Sequence, residues 1–271
     1  RTAVVARLLA NEIMRRRVLL PYDAWHYSAG IPAPRGASLS SVMTTPDSAK
    51  DVLRYWFGDA PALGAAEFEA RFKSWYDNPN QGSEVRERFS NVIEAALAGG
   101  LQEWEASADG RLALVIVLDQ FMRAYWGMAD GRAFAHGDRA QRLAVEVLDA
   151  GLPDHWDAEK RLTIILPLGH AENIELQKRA LEVALQLMAY TPLHLRPIYE
   201  TVTAQLLRFQ NVIERFGRFP HRNQALGRES TAEERKFLRR WNLRHPVRGY
   251  ENEIAVAHDL ERGAEDSDPS D

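Results

Sequence analysis

The chain has 271 residues, 45% of them apolar and 27% charged, with a formal net charge of −4. That composition suits a folded domain with a sizeable core and argues against disorder as the general state. The absence of cysteine excludes disulfides, thiolate metal sites, iron–sulfur clusters and a cysteine nucleophile in this sequence.

No apolar run approaches the roughly 18 residues of a transmembrane helix. The Arg15-Arg16-Arg17 cluster is followed only by Val18, Leu19 and Leu20 before Pro21, which is too short for the core of a signal peptide. A cytoplasmic protein without membrane contact is the expectation. Residues 1–42 carry 6 basic and 2 acidic residues, whereas residues 208–248 carry 11 basic and 4 acidic ones. The basic run is read as a solvated helix face plus a loop, not as a specific nucleic-acid surface.

In chain order, residues 1–42 read as an extension or linker with little order. Pro21, Pro32, Pro34 and Pro46, with Gly30 and Gly36, punctuate residues 21–47. Met43 precedes Thr44-Thr45-Pro46-Asp47, a good helix start, so a compact helical domain is expected over 43–245. Helical stripes follow at Ala49, Val52, Leu53 and Trp56, at Phe68, Phe72, Trp75 and Tyr76, and from Val85 to Leu97 before Gly99-Gly100. Further stripes run from Ala140 to Leu148, from Ile174 through Leu181 and Leu185 to Met188, and from Ile198 to Phe216. Ser230 and Glu233 are read as a capping box for a last helix bearing Phe237 and Trp241. Residues 246–271 form an acidic tail. No segment alternates with period two, so the fold class is all-α.

One helix, over residues 110–127, is apolar all round: Leu112-Ala113-Leu114-Val115-Ile116-Val117-Leu118 is an unbroken run, which places it at the centre. Asp119, Gln120 and Arg123 follow. Asp119 and Arg123 are four apart with the acid first, the favourable order for a same-face pair. They are either an internal ion pair that fixes packing or part of a ligand-facing cluster.

Two further strings could carry chemistry. His170, Ile174, Gln177 and Leu181 lie at 0, 4, 7 and 11, one helix face, with Glu172 beside them and Pro167 just before. His170 is either a hydrogen-bonded core residue or a ligand group. A metal site is not expected, since His170-x-Glu172 lacks zinc spacing and no His-Glu-x-x-His occurs. The other string is Phe216-Gly217-Arg218-Phe219-Pro220-His221-Arg222-Asn223, with Gly227-Arg228 beyond. Its arginines either cap the preceding helix or hold a carboxylate or phosphate. Phosphate-loop, dinucleotide-binding and serine-elbow motifs are absent, and nothing implies a cofactor.

These strings, with Trp56-Phe57-Gly58, Gly110-Arg111-Leu112, Arg132-Ala133-Phe134-Ala135 and Leu166-Pro167-x-x-His170, resemble a bacterial family, the domain of unknown function 924, over roughly residues 47–240. The resemblance implies about nine helices packed as antiparallel pairs in a tetratricopeptide-like superhelix. It brings no activity with it. Two departures stand out: Met122 where the family usually has proline, and Ala171 where it usually has serine, so a mechanism using that serine is closed to this chain.

The function expected from the residues is a polar inter-helix pocket for a small anionic metabolite, with acid–base chemistry by His170, Glu172 or Asp119. Gln120, Arg123, Gln177, Arg218, His221, Arg222, Asn223 and Arg228 are the expected binding groups. The alternative is a helical scaffold that takes a peptide or protein in its concave groove. Oligomeric state is left open. The two readings part on whether the three polar strings converge, and Asp119 is expected beside the Arg218–Asn223 loop because a polar end of a buried helix needs partners.

Overall fold

The computed structural model describes residues 49–60, 64–76, 78 and 80–239. The expectations for the linker, the Met43 start, Trp241 and the acidic tail lie outside these residues. Among the described residues there is no strand. Helices α1 (Ala49–Phe57), α2 (Ala65–Tyr76) and α3 (Gln81–Leu97) form where the first three stripes lie. The central helix follows as α4 (Ala108–Val115), a π-helical turn (Ile116–Phe121) and α5 (Met122–Trp126). Then come α6 (Gly137–Ala150), α7 (Ala158–Thr163), α8 (Leu166–Gly169), α9 (Ile174–Ala189), α10 (Arg196–Phe216) and α11 (Ala232–Leu238). Counting the central helix once and α8 with α7, the described residues hold nine helices.

The central helix is buried as its composition requires: each residue from Leu112 to Leu118 is at most 1% exposed. Burying each of its larger aliphatic side chains is worth roughly 1.5–3 kcal/mol, so this segment anchors the fold. Helices α1, α3 and α6 surround it. It starts from Ser107, whose hydroxyl accepts the Gly110 N–H at 3.0 Å. Gly110 is there because of a close approach: a Cβ would sit 2.0 Å from the Trp104 carbonyl oxygen.

At its far end the helix divides two environments. Phe121 enters an aromatic cluster, with ring centroids 4.8 Å from Phe89 and 6.3 Å from Trp56, while Trp56 stacks on Trp75 at 4.1 Å. Asp119 and Gln120 point elsewhere. Helices α9 and α10 form an antiparallel hairpin. His170, just before α9, lies against Phe209 near the end of α10, and Thr191, just after α9, bonds Tyr199 near its start. Gly217 ends α10 in the left-handed conformation at φ 67°, which releases the chain into the Arg- and His-bearing loop. No described helix is long and apolar enough to cross a membrane.

Candidate functional site

The polar end of the central helix is built on the π-helical turn, in which the backbone bonds to the fifth residue on and the turn widens. Asp119 and Gln120 are 3% and 6% exposed. The Asp119 carboxylate is saturated from three sides. Arg123 Nη2 donates to Oδ1 at 2.7 Å, Gln120 Nε2 donates to Oδ2 at 2.6 Å, and His170 Nδ1 lies 2.7 Å from Oδ2. Burial alone would raise this carboxyl, but Arg123 and His170 together hold it well below the usual carboxylate range.

An ionised Asp119 fixes the state of His170. Since the carboxylate can only accept, the ring carries its proton on Nδ1, and Nε2 keeps the lone pair. Burial pushes the imidazolium down; Asp119 opposes this and Arg123 adds to it, and the net shift is downward. His170 is therefore neutral at pH 7, with a basic nitrogen turned away from its acid.

His170 is not on α9, as the 0, 4, 7, 11 spacing predicts. Asn173 caps α9 instead, accepting the Glu175 and Leu176 N–H groups at 2.9 and 3.2 Å, so the helix begins at Ile174. Pro167 lies in the first turn of α8 and starts that helix, where its missing N–H costs nothing. His170 occupies the turn between the two. Gln177, fully buried, staples that turn: its Nε2 donates to the Gly169 and Ala171 carbonyls at 2.5 and 2.8 Å.

Glu172, two residues on, ties the turn to the third string. It accepts the Phe219 N–H at 2.8 Å and both terminal nitrogens of Arg228, at 2.6 and 2.9 Å. Burial opposes its ionisation, but Arg228 and the Phe219 N–H hold its carboxyl below the usual range. Within the loop, Arg218 forks onto Glu234 at 2.7 and 2.9 Å, and Asn223 donates to Ser230 Oγ at 3.0 Å and to Glu234 at 3.3 Å. The capping box of α11 is Thr231 with Glu234, one residue later than the sequence pairing of Ser230 with Glu233. Glu233 instead pairs with Arg215.

Arg222 differs from its neighbours. It is 7% exposed, its guanidinium has no hydrogen-bond partner among the described residues, and its Nε is fully buried. Ring faces cover it: the guanidinium carbon lies 4.3 Å from the centroid of Phe219 and 4.8 Å from that of Phe134. Arg123 shares the Phe134 ring at 5.3 Å. Burial and the charge of Arg123 push Arg222 down to about 9, against the pull of Glu172 and Asp119. Beside it, burial and Arg222 push His221 down to about 3.

The three strings therefore meet. Asp119, Gln120, Arg123, His170, Glu172, His221, Arg222 and Arg228 come together, while Arg218, Asn223 and Gln177 hold the surrounding backbone in place. Sequence reasoning missed Phe134, Glu234 and Arg208. Arg208 is 3% exposed and its charge acts on His221. Its signal was a lone cation inside the buried run Leu206-Leu207-Arg208-Phe209. Among the described residues no three His, Asp or Glu side chains group as metal ligands would. A separate open cleft of about 790 Å³ runs between α6, α7, α9 and α10, and its lining includes none of the expected site residues.

The model of a family described as bacterial protein of unknown function (DUF924) matches residues 52–242. The chain belongs to this family. A solved structure of a protein of unknown function from Agrobacterium tumefaciens is 29% identical with a TM-score of 0.57. The match covers 70% of this chain and 96% of that one. Among curated proteins nothing matches. The DUF924 match spans all three polar strings and the helices that carry them.

Proposed function

We propose that the cluster around Arg222 binds a small anionic metabolite and that His170 acts on it as a general base through Nε2. The observation that carries this is Arg222 itself. A buried cation without a hydrogen-bonded counter-charge costs several kcal/mol, and proteins retain such a group where an anion completes it. Its neighbours Arg123 and Arg228 already face Asp119 and Glu172. Of these three arginines, Arg222 is the one left to hold a ligand.

The base is His170, not Glu172 or Asp119. Both carboxylates are engaged by arginine and further donors and are held ionised below their usual range, so they are poor proton acceptors. Asp119 orients the imidazole and favours the imidazolium once Nε2 has taken a proton, the role a buried acid plays behind a catalytic histidine. Water or a substrate hydroxyl supplies that proton. Arg218, Asn223 and Gln177 position the loop and the turn, and His221 adds a neutral wall.

The test is thermal unfolding with a panel of small carboxylates, phosphates and sulfates at constant ionic strength, for wild type and Arg222→Gln. A ligand at about 100 times its dissociation constant stabilises the folded state by about 2.7 kcal/mol. Stabilisation of wild type alone supports the reading; no stabilisation, or an equal effect on Arg222→Gln, contradicts it.

A second reading is a peptide-binding scaffold, favoured by the open cleft with Trp156, Tyr190 and Tyr199 on its walls and Tyr190 91% exposed. Partner capture weakened by Tyr190→Ala and indifferent to Arg222→Gln would favour it.

A further inference from the structure

We infer that the segment from Gly127 to Ala135 is a lid over the Arg222 cluster, which opens to admit the anion; this rests on the anion-site reading above and adds how the site is entered. Arg222 is 7% exposed, so an anion reaches its guanidinium only if one of the groups around it moves. Those groups differ in how they are held. Arg208, whose charge reaches the neighbouring His221, sits on the 21-residue α10. Phe219 belongs to a small apolar core with Phe209, Val212 and Phe237, and its backbone N–H and carbonyl bond Glu172 and Arg228. Phe134 is held by nothing comparable, although its ring centroid lies 4.8 Å from the guanidinium carbon of Arg222 and 5.3 Å from that of Arg123.

Among the described residues, the hydrogen bonds of this segment close on the segment itself. Asp130 accepts the Arg132 N–H at 2.9 Å and its guanidinium at 2.6 Å. The Asp130 N–H donates to the Gly127 carbonyl, that of Ala133 to Asp130 and that of Ala135 to Arg132. The polar links beyond it are the Gly127 N–H on the Arg123 carbonyl, at its base, and a 3.9 Å approach of Arg123 to the Met128 sulfur. Met128, Ala133 and Phe134 join neither apolar core. A segment with few core contacts and self-contained hydrogen bonds is one that opens ahead of the rest of the fold. Both ends suit a hinge: Gly127 has φ 79°, a conformation other residues rarely take, and α6 begins at Gly137 without a side-chain cap. Toward the site, the lid rests on the Arg222 loop at Gly131, where a Cβ would stand 2.6 Å from the Ala225 carbonyl oxygen. That contact and the Phe134 ring hold it shut.

The experiment exploits a sequence without cysteine. In the full chain, Ala133→Cys places a single thiol in the lid at a position 2% exposed, and Ala144→Cys places one in the core of α6 as the control for global unfolding. With a water-soluble disulfide reagent in native buffer, the Ala133→Cys thiol is expected to react at least about a hundredfold faster than the control. Adding Gly131→Ala, which pushes the lid off the Ala225 carbonyl, or Phe134→Leu is expected to quicken it about tenfold further. Acetate or inorganic phosphate, at constant ionic strength, is expected to slow it, and not in Arg222→Gln. If Ala133→Cys disturbs the packing, amide exchange in the wild type at Asp130 and Ala133, compared with Leu114, reads the same opening. Lid positions no faster than the core overturn the lid and leave the anion site to its own thermal test. Fast reaction that neither Gly131→Ala nor Phe134→Leu alters overturns the lid as well, because the contacts assigned to closure then do not close it. Fast, variant-sensitive reaction indifferent to both anions, or slowed equally in Arg222→Gln, overturns the lid's role in admitting an anion to Arg222.

Discussion

His170 Nδ1 and Asp119 Oδ2 lie 2.7 Å apart across 51 residues of sequence, and this bond joins the polar end of the central helix to the turn between α8 and α9. Asp119 is the acceptor for three donors at once, so its loss strands several groups.

Replacing Asp119 with Ala is expected to cost on the order of 3–5 kcal/mol, because Arg123 would be left beside Arg222 without its counter-charge. Equilibrium denaturant unfolding measures it. The pH dependence has a definite sign: the folded carboxyl lies below its unfolded value, so its contribution is complete above about pH 4 and is lost as pH falls further. A cost below 1 kcal/mol, ordinary for surface sites, would mean that the network does not hold the fold.

Arg222→Gln should behave in the opposite way. Removing an unpaired buried cation is expected to leave stability unchanged or raise it, while the same change at Arg228, which breaks the pair with Glu172, lowers it by more than 1 kcal/mol. The comparison of the two melting curves separates a ligand-facing arginine from a structural one.

Both histidines give a second pH signature. His170 and His221 are lowered in the folded state, the latter to about 3. Below about pH 6.5, and for His221 down to about pH 3, the unfolded chain binds protons that the folded chain refuses, so stability falls as pH falls, by up to about 1.4 kcal/mol per pH unit for a histidine. His221→Gln should flatten that slope in unfolding curves taken from pH 7 to 4.

Much of the fold was legible because the helices obey their stripes, and burial of Leu112 to Leu118 follows from an apolar run with no polar face. That polar groups gather at Asp119 was legible too, since a polar end on a buried helix demands donors, but the donors are Gln120, Arg123 and His170 and not the arginines of the Arg218–Asn223 loop. Three features were not. The π-helical turn leaves no residue signature, because it is a change of hydrogen-bond register and not of composition. The position of His170 was misread because the spacing to Ile174 fits a helix that Asn173 begins later. The capping box slipped because Ser230 with Glu233 and Thr231 with Glu234 satisfy the same pattern, and Ser230 is instead the acceptor for Asn223.

That slip gives its own test. Thr231→Ala is expected to cost about 1 kcal/mol through loss of the cap, and Ser230→Ala less. The reverse order in thermal melts would favour Ser230 with Glu233 as the cap.

The most direct test of the account is a crystal structure grown with acetate, read at one place: the distances from the anion's oxygens to Arg222 and from the anion or its bound water to His170 Nε2. The expected result is an acetate oxygen within about 2.7–3.2 Å of the Arg222 guanidinium, with an acceptor or water at similar range from Nε2. Well-ordered acetate elsewhere, with Arg222 contacting only protein, would contradict it.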